Sequence, residues 1–71
     1  MKLKDIKVND HYVFVIEYNY GAGSGSQGRY SLSGRVKEIN PEFIRVIPDK
    51  NILEGNRRSE KVYTNSISNV F

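Results

Sequence analysis

The chain has 71 residues, and its 11 basic and 8 acidic side chains give a formal net charge of +3. This length predicts one domain near the lower limit for an unaided core, and the absence of cysteine excludes disulfides and thiolate metal sites. No run of about eighteen apolar residues is present and the first ten residues lack the apolar part of a signal peptide, so we expect a cytoplasmic protein with no membrane partner.

The first predicted strand runs from Tyr12 to Tyr20, after a turn at Asn9-Asp10. Its even-numbered positions form an unbroken apolar and aromatic row: Tyr12, Phe14, Ile16, Tyr18 and Tyr20. Because side chains alternate along a strand, this row predicts a buried face. The next stretch, Gly21 to Gly28, is rich in glycine and predicts a long, mobile loop between two antiparallel strands.

The central feature is a β-hairpin within Arg29 to Pro48. Its first strand places apolar residues and a glycine on one face: Tyr30, Leu32, Gly34 and Val36. Its second strand, Phe43 to Ile47, is dominated by β-branched residues, which favour a pleated sheet. The linking residues, Asn40-Pro41-Glu42, are those that a type I turn prefers.

Two registers of this hairpin are compatible with the sequence. A two-residue loop places Glu38 opposite Arg45. A three-residue loop places Lys37 opposite Arg45 and Val36 opposite Val46. We favour the three-residue loop, because burial of the apolar face outweighs one exposed ion pair.

The remaining chain predicts short elements. Asp49 to Gly55 predicts a helical turn or short helix, with Asp49 as its N-cap and Gly55 at its C-terminal end. Lys61 to Thr64 predicts a short strand, Asn65 to Ser68 a 3₁₀ turn, and Asn69 to Phe71 a last strand.

Five short antiparallel strands predict an all-β fold. In so small a chain, rolling the sheet buries one face and protects the edges. We therefore expect an SH3-like, five-stranded antiparallel barrel with one short helix, as a single domain over residues 1–71. An OB-like barrel is the alternative.

From MKLKDIKVNDHYVFV at the start to SISNVF at the end, the chain resembles the YorP family of small prophage-encoded proteins from Gram-positive bacteria. The resemblance implies five β-strands, with a helix between two of them, and a prophage origin. Because the function of that family is not known, it implies no activity and no functional residues.

Two features are reminiscent of catalytic or cofactor-binding sites. Gly23 to Gly28 satisfies G-x-G-x-x-G, but a strand follows it where nucleotide binding requires a helix N-terminus. His11 is the only histidine, and we expect it to form a surface hydrogen bond beside Asp10. The sequence therefore predicts a non-enzymatic protein with no metal and no cofactor.

The candidate partner-binding residues are aromatic and basic: Tyr18, Tyr20, Arg29, Tyr30, Arg35, Lys37 and Arg45. Tyrosine and arginine anchor many protein interfaces, although tyrosines also cover thin cores. We favour an interaction module that binds a host or phage protein, and we expect a monomer. The alternative is a nucleic-acid-binding accessory protein in which the basic residues hold phosphates and the aromatic ones stack on bases. The modest net charge favours the first hypothesis.

Overall fold

The computed structural model describes residues 2–20 and 26–71, except for the side chains of residues 19, 20, 26 and 27. A 3₁₀ turn at Leu3–Asp5 precedes the first strand, and a second 3₁₀ turn spans Thr64–Ser66. The strands and the helix are β1 (His11–Tyr20), β2 (Ser26–Ile39), β3 (Phe43–Pro48), α1 (Asp49–Leu53), β4 (Glu60–Tyr63) and β5 (Ile67–Val70). The all-β prediction, with five strands and one short helix, is confirmed.

The five strands form one antiparallel sheet in the order β4-β3-β2-β1-β5. The consecutive strands β4 and β5 therefore lie at opposite edges, although only Thr64–Ser66 separates them. Five flat strands would place these edges about 19 Å apart, whereas the link from Tyr63 to Ile67 reaches at most about 14 Å. The sheet must therefore roll, as in the predicted SH3-like arrangement. Within the described residues, no ladder joins β4 to β5, so the rolled sheet stays open.

The core lies on the inner face of the rolled sheet and draws side chains from every strand. Its buried members are Ile6, Tyr12, Phe14, Ile16, Leu32, Val36, Ile44, Val46, Val62 and Val70. The row predicted in β1 is buried at Tyr12, Phe14 and Ile16, as expected. Farther along, Tyr18 is half-buried, and the side chain of Tyr20 lies outside the described residues.

A β-bulge sets the register between β2 and β3. Near the turn Glu38 is opposite Arg45, as a two-residue loop requires, so the favoured three-residue loop is wrong. Beyond the register shift, however, Val36 is opposite Val46, as that same prediction expected. Lys37 is the extra residue of the bulge rather than the partner of Arg45. One inserted residue thus allows the hairpin to form both the ion pair and the buried apolar pair.

The short helix α1 ends as predicted but begins differently. Gly55 has a φ of 81°, and the backbone N–H of Asn56 donates to the carbonyl of Asn51 across 2.8 Å. These features form the glycine-terminated C-cap that the sequence suggests. The N-cap is Pro48 rather than Asp49, and it makes no side-chain capping hydrogen bond.

Several element boundaries differ from the predictions. β2 begins at Ser26, so the last three residues of the predicted Gly21 to Gly28 loop belong to a strand. Residues 21–25 lie outside the described residues, and with them the predicted mobility and part of the glycine motif. The second 3₁₀ turn ends at Ser66 and β5 begins at Ile67, each earlier than expected. No helix in the described part of the chain is long and apolar enough to cross a membrane.

Candidate functional site

The structure distributes the predicted binding residues over two faces of the sheet. Arg29 and Tyr30 are neighbours on β2, so their side chains point to opposite faces. Tyr18 and Tyr30 lie together on the inner-face side, with ring centroids 5.7 Å apart, which confirms that these two cluster. The basic candidates lie on the outer face or in the bulge, so they form no joint site with the tyrosine pair.

The tyrosine pair lies at the end of β1 and β2 that approaches the glycine-rich stretch. Tyr18 is opposite Gly28 in the ladder, and any Cβ at Gly28 would overlap the Tyr18 ring. The glycine therefore lets this ring lie across the neighbouring strand. Tyr30 packs against it while remaining 48% exposed. This contact supports the strand pair beyond the main core, so it has a structural role whether or not a partner binds there.

Acidic neighbours and a backbone carbonyl contact three of the four basic candidates. Arg29 Nη2 lies 2.6 Å from Glu17 Oε1, and Arg45 Nε lies 3.2 Å from Glu38 Oε2. Arg35 Nη1 donates to the backbone carbonyl of Asn9 across 2.6 Å. Because the ion-paired side chains are well exposed, each pair contributes at most about 1 kcal/mol to folding. The pairs nevertheless reduce the positive potential that a phosphate backbone would meet.

The outer face of β3 and β4 carries a cluster that the sequence analysis missed. Phe43 is opposite Tyr63 and Arg45 is opposite Lys61, so all four side chains project from the same face. We call Phe43, Arg45, Lys61 and Tyr63 the β3–β4 cluster. Strand alternation around the buried Ile44 and Val62 already indicates that their neighbours point outward. That β3 pairs with β4, however, could be seen only in the folded structure.

Cation–π contacts organise the β3–β4 cluster. Lys61 Nζ lies 4.3 Å from the centroid of the Phe43 ring and 5.3 Å from that of Tyr63. Arg45 Cζ lies 5.4 Å from the Phe43 centroid while its Nε contacts Glu38. Tyr63 remains 55% exposed, and Phe43 is half-buried. The arrangement presents an aromatic surface with cations held beside it.

Basic side chains outnumber acidic ones on the outer face around the β3–β4 cluster. Four cations lie in the cluster, on β2 beside it or in the bulge, against one carboxylate: Arg35, Lys37, Arg45 and Lys61 against Glu38. These five residues carry a local charge of +3, while Glu42 and Glu60 are the acidic residues next to the cluster along the chain.

His11 forms the predicted surface hydrogen bond, and its partner is Asp49 rather than the adjacent Asp10. Its Nε2 lies 2.8 Å and 3.1 Å from the two carboxylate oxygens of Asp49, which links β1 to α1. Among the described residues, no group of three or more His, Cys, Asp or Glu side chains is arranged to hold a metal ion. This pair is a contact between elements at the surface.

The fold and this surface together define a small β domain with an open, rolled, five-stranded antiparallel sheet and a basic, aromatic outer face. Comparison with family models, with curated proteins and with solved structures found no match for the chain. Its function must therefore be argued from its own surface.

Proposed function

We propose that this chain is a non-enzymatic interaction module that binds a protein partner through the β3–β4 cluster. The aromatic pair of half-buried Phe43 and exposed Tyr63, with Lys61 held against both rings, is the observation that carries the proposal. Aromatic residues and arginine are enriched among the residues that contribute most to protein interfaces. A host or phage protein remains the predicted partner, and the prophage origin, the cytoplasmic location and the monomeric state remain predictions.

The geometry favours binding because the cluster is already ordered. Lysine and arginine lose side-chain entropy when a partner immobilises them. Here the rings hold Lys61, and Glu38 and the Phe43 ring hold Arg45 before any partner arrives. Part of the cost of binding is thus met during folding.

Nucleic acid is the weaker candidate for this face. A phosphate backbone gains affinity from several unneutralised cations, and its charge is repelled by nearby carboxylates. Glu38 lies beside Arg45, and Glu17 neutralises Arg29. A protein surface can position individual acidic and apolar groups to avoid Glu38, whereas a regular phosphate backbone cannot.

Selection from a random-sequence peptide display library on the immobilised protein tests the proposal. We expect the wild-type chain to enrich specific peptides, and Tyr63→Thr to abolish their binding because the exposed ring is lost. Tyr30→Thr is the matched control, since Tyr30 has a similar exposed fraction on the other face. Amide NMR spectra of both variants would verify that the fold is retained.

Three outcomes would overturn the proposal. The first is a selection that enriches no peptide on the wild-type chain. The second is loss of peptide binding in Tyr30→Thr but not in Tyr63→Thr, which would place the binding site at the tyrosine pair. The third is an NMR titration with single- or double-stranded oligonucleotides that gives saturable, salt-sensitive amide shifts around Arg35 and Arg45. That result would identify nucleic acid, rather than a protein, as the partner.

A further inference from the structure

We infer that the partner presents an acidic segment to the β3–β4 cluster, with carboxylates at Lys61 and Arg45 and apolar groups against Tyr63. This inference rests on the proposed function and adds the chemistry of the partner. It follows from the contacts of Lys61, from the charge around the cluster and from the position of β4 in the sheet.

Lys61 is a cation with no carboxylate partner among the residues that the structure describes. Its ammonium contacts two rings, and within the described part of the chain it forms no ion pair. The adjacent Glu60 pairs with Lys50 instead, across 3.6 Å. An ammonium carries three hydrogen-bond donors, and the ring faces use its charge without accepting strong hydrogen bonds. A carboxylate from a partner can accept those donors in a charge-assisted contact.

Charge complementarity selects an acidic partner over a neutral or basic one. Lys37 and Arg35 flank the cluster, and Glu38 is the single carboxylate among these cations. Like charges placed across an interface are strongly unfavourable, whereas opposite charges increase the association rate and fix the orientation. A basic segment would therefore be rejected at this face.

The position of β4 favours an extended partner segment. β4 is the edge strand beside β3, so the cluster lies at the border of the sheet. The side chains of the β3–β4 pair form two cross-strand rows, Phe43 with Tyr63 and Arg45 with Lys61. An extended segment alternates its side chains, so residues two apart lie on the same side and can reach both rows. Acidic and apolar residues at such a spacing would match the cations and the rings.

The peptides selected on the wild-type chain provide the first test of this inference. We expect them to be enriched in Asp and Glu relative to the unselected library. One enriched peptide is then synthesised together with its counterpart in which Asn and Gln replace Asp and Glu. Titration calorimetry should show that this replacement weakens binding at least about tenfold, as expected when a charge-assisted contact is lost.

Lys61→Met tests the site itself, since methionine keeps an unbranched side chain and removes the charge. We expect it to weaken binding of the acidic peptide about tenfold. Lys4→Met is the matched control: it removes the same charge at an exposed position in the first 3₁₀ turn, and it should change the affinity less than about twofold.

The outcomes separate this inference from the proposed function. If enriched peptides depend on Tyr63 but are not acidic, or bind equally well as the Asn and Gln counterparts, the inference fails and the proposed function stands. If Lys4→Met and Lys61→Met weaken binding equally, only the net charge matters and the site at Lys61 is wrong. If no peptide is enriched, both fail.

Discussion

Gly34 shows how closely the strands approach at the scale of single residues. It is buried in β2 opposite Pro48, at the place where β2 and β3 run side by side beyond the bulge. A Cβ at this position would lie 2.7 Å from Val46 Cγ1 and closer still to the backbone carbonyl oxygen of Ile47. The backbone oxygen cannot move without displacing β3, so only glycine fits without a shift of the strand.

We therefore expect Gly34→Ala to lower the free energy of unfolding by about 2 kcal/mol, as overpacking of a filled core does. Urea denaturation followed by circular dichroism measures the change. Gly55→Ala is the comparison, because its Cβ would meet nothing within 4 Å and the cost, about 1 kcal/mol, would come from the positive φ alone. Wild-type stability in Gly34→Ala would show that β2 and β3 are farther apart than described.

At the scale of elements, the corner between β4 and β5 is joined to the β2–β3 turn. Thr64 Oγ1 lies 3.1 Å from each of the carbonyl oxygens of Pro41 and Glu42, and the Thr64 backbone N–H also donates to Glu42. These hydrogen bonds fix the second 3₁₀ turn against the hairpin, where the chain passes from one sheet edge to the other. The rolled shape of the sheet depends on this corner.

Replacement of Thr64 by valine removes the hydroxyl at nearly constant shape. We expect Thr64→Val to lower the free energy of unfolding by about 1 kcal/mol, the usual net worth of a partly exposed hydrogen bond. Thr64→Ser keeps the hydroxyl and should retain more of the stability than Thr64→Val. Wild-type stability in Thr64→Val would show that the hydroxyl contributes nothing, and the corner contact through Oγ1 would then not stabilise the fold.

At the scale of the whole molecule, apolar burial dominates over surface charge. The core takes side chains from all five strands, whereas the side chains of the ion pairs between Glu and Arg or Lys are between 40% and 68% exposed. Such pairs are screened by salt and contribute little. A chain of 71 residues without cysteine thus depends on its filled inner face.

This balance predicts a stability that is nearly independent of salt. Between about 50 mM and 500 mM sodium chloride, the free energy of unfolding should change by less than about 1 kcal/mol. Urea denaturation at both concentrations checks this, with Glu38→Gln as a variant that should respond in the same way. A loss of several kcal/mol at high salt would mean that the ion pairs are structural.

Much of the fold follows from local sequence patterns. The alternation in β1 predicts the buried row at Phe14 and Ile16, and the glycine at position 55 predicts the end of α1. The β-branched run before Pro48 predicts β3. These predictions succeed because the periodicity of a strand and the conformational freedom of glycine act within a few residues.

Tertiary structure decided how those pieces pair. The bulge at Lys37, the partner of His11 and the outer-face cluster all depend on residues brought together from separate parts of the chain. Arg45 was a candidate from the sequence, but Phe43, Lys61 and Tyr63 were not, because the pairing of β3 with β4 joins residues far apart in sequence. Strand periodicity assigns a side chain to a face, whereas its neighbours on that face are set by long-range pairing and by the packing of the shared core.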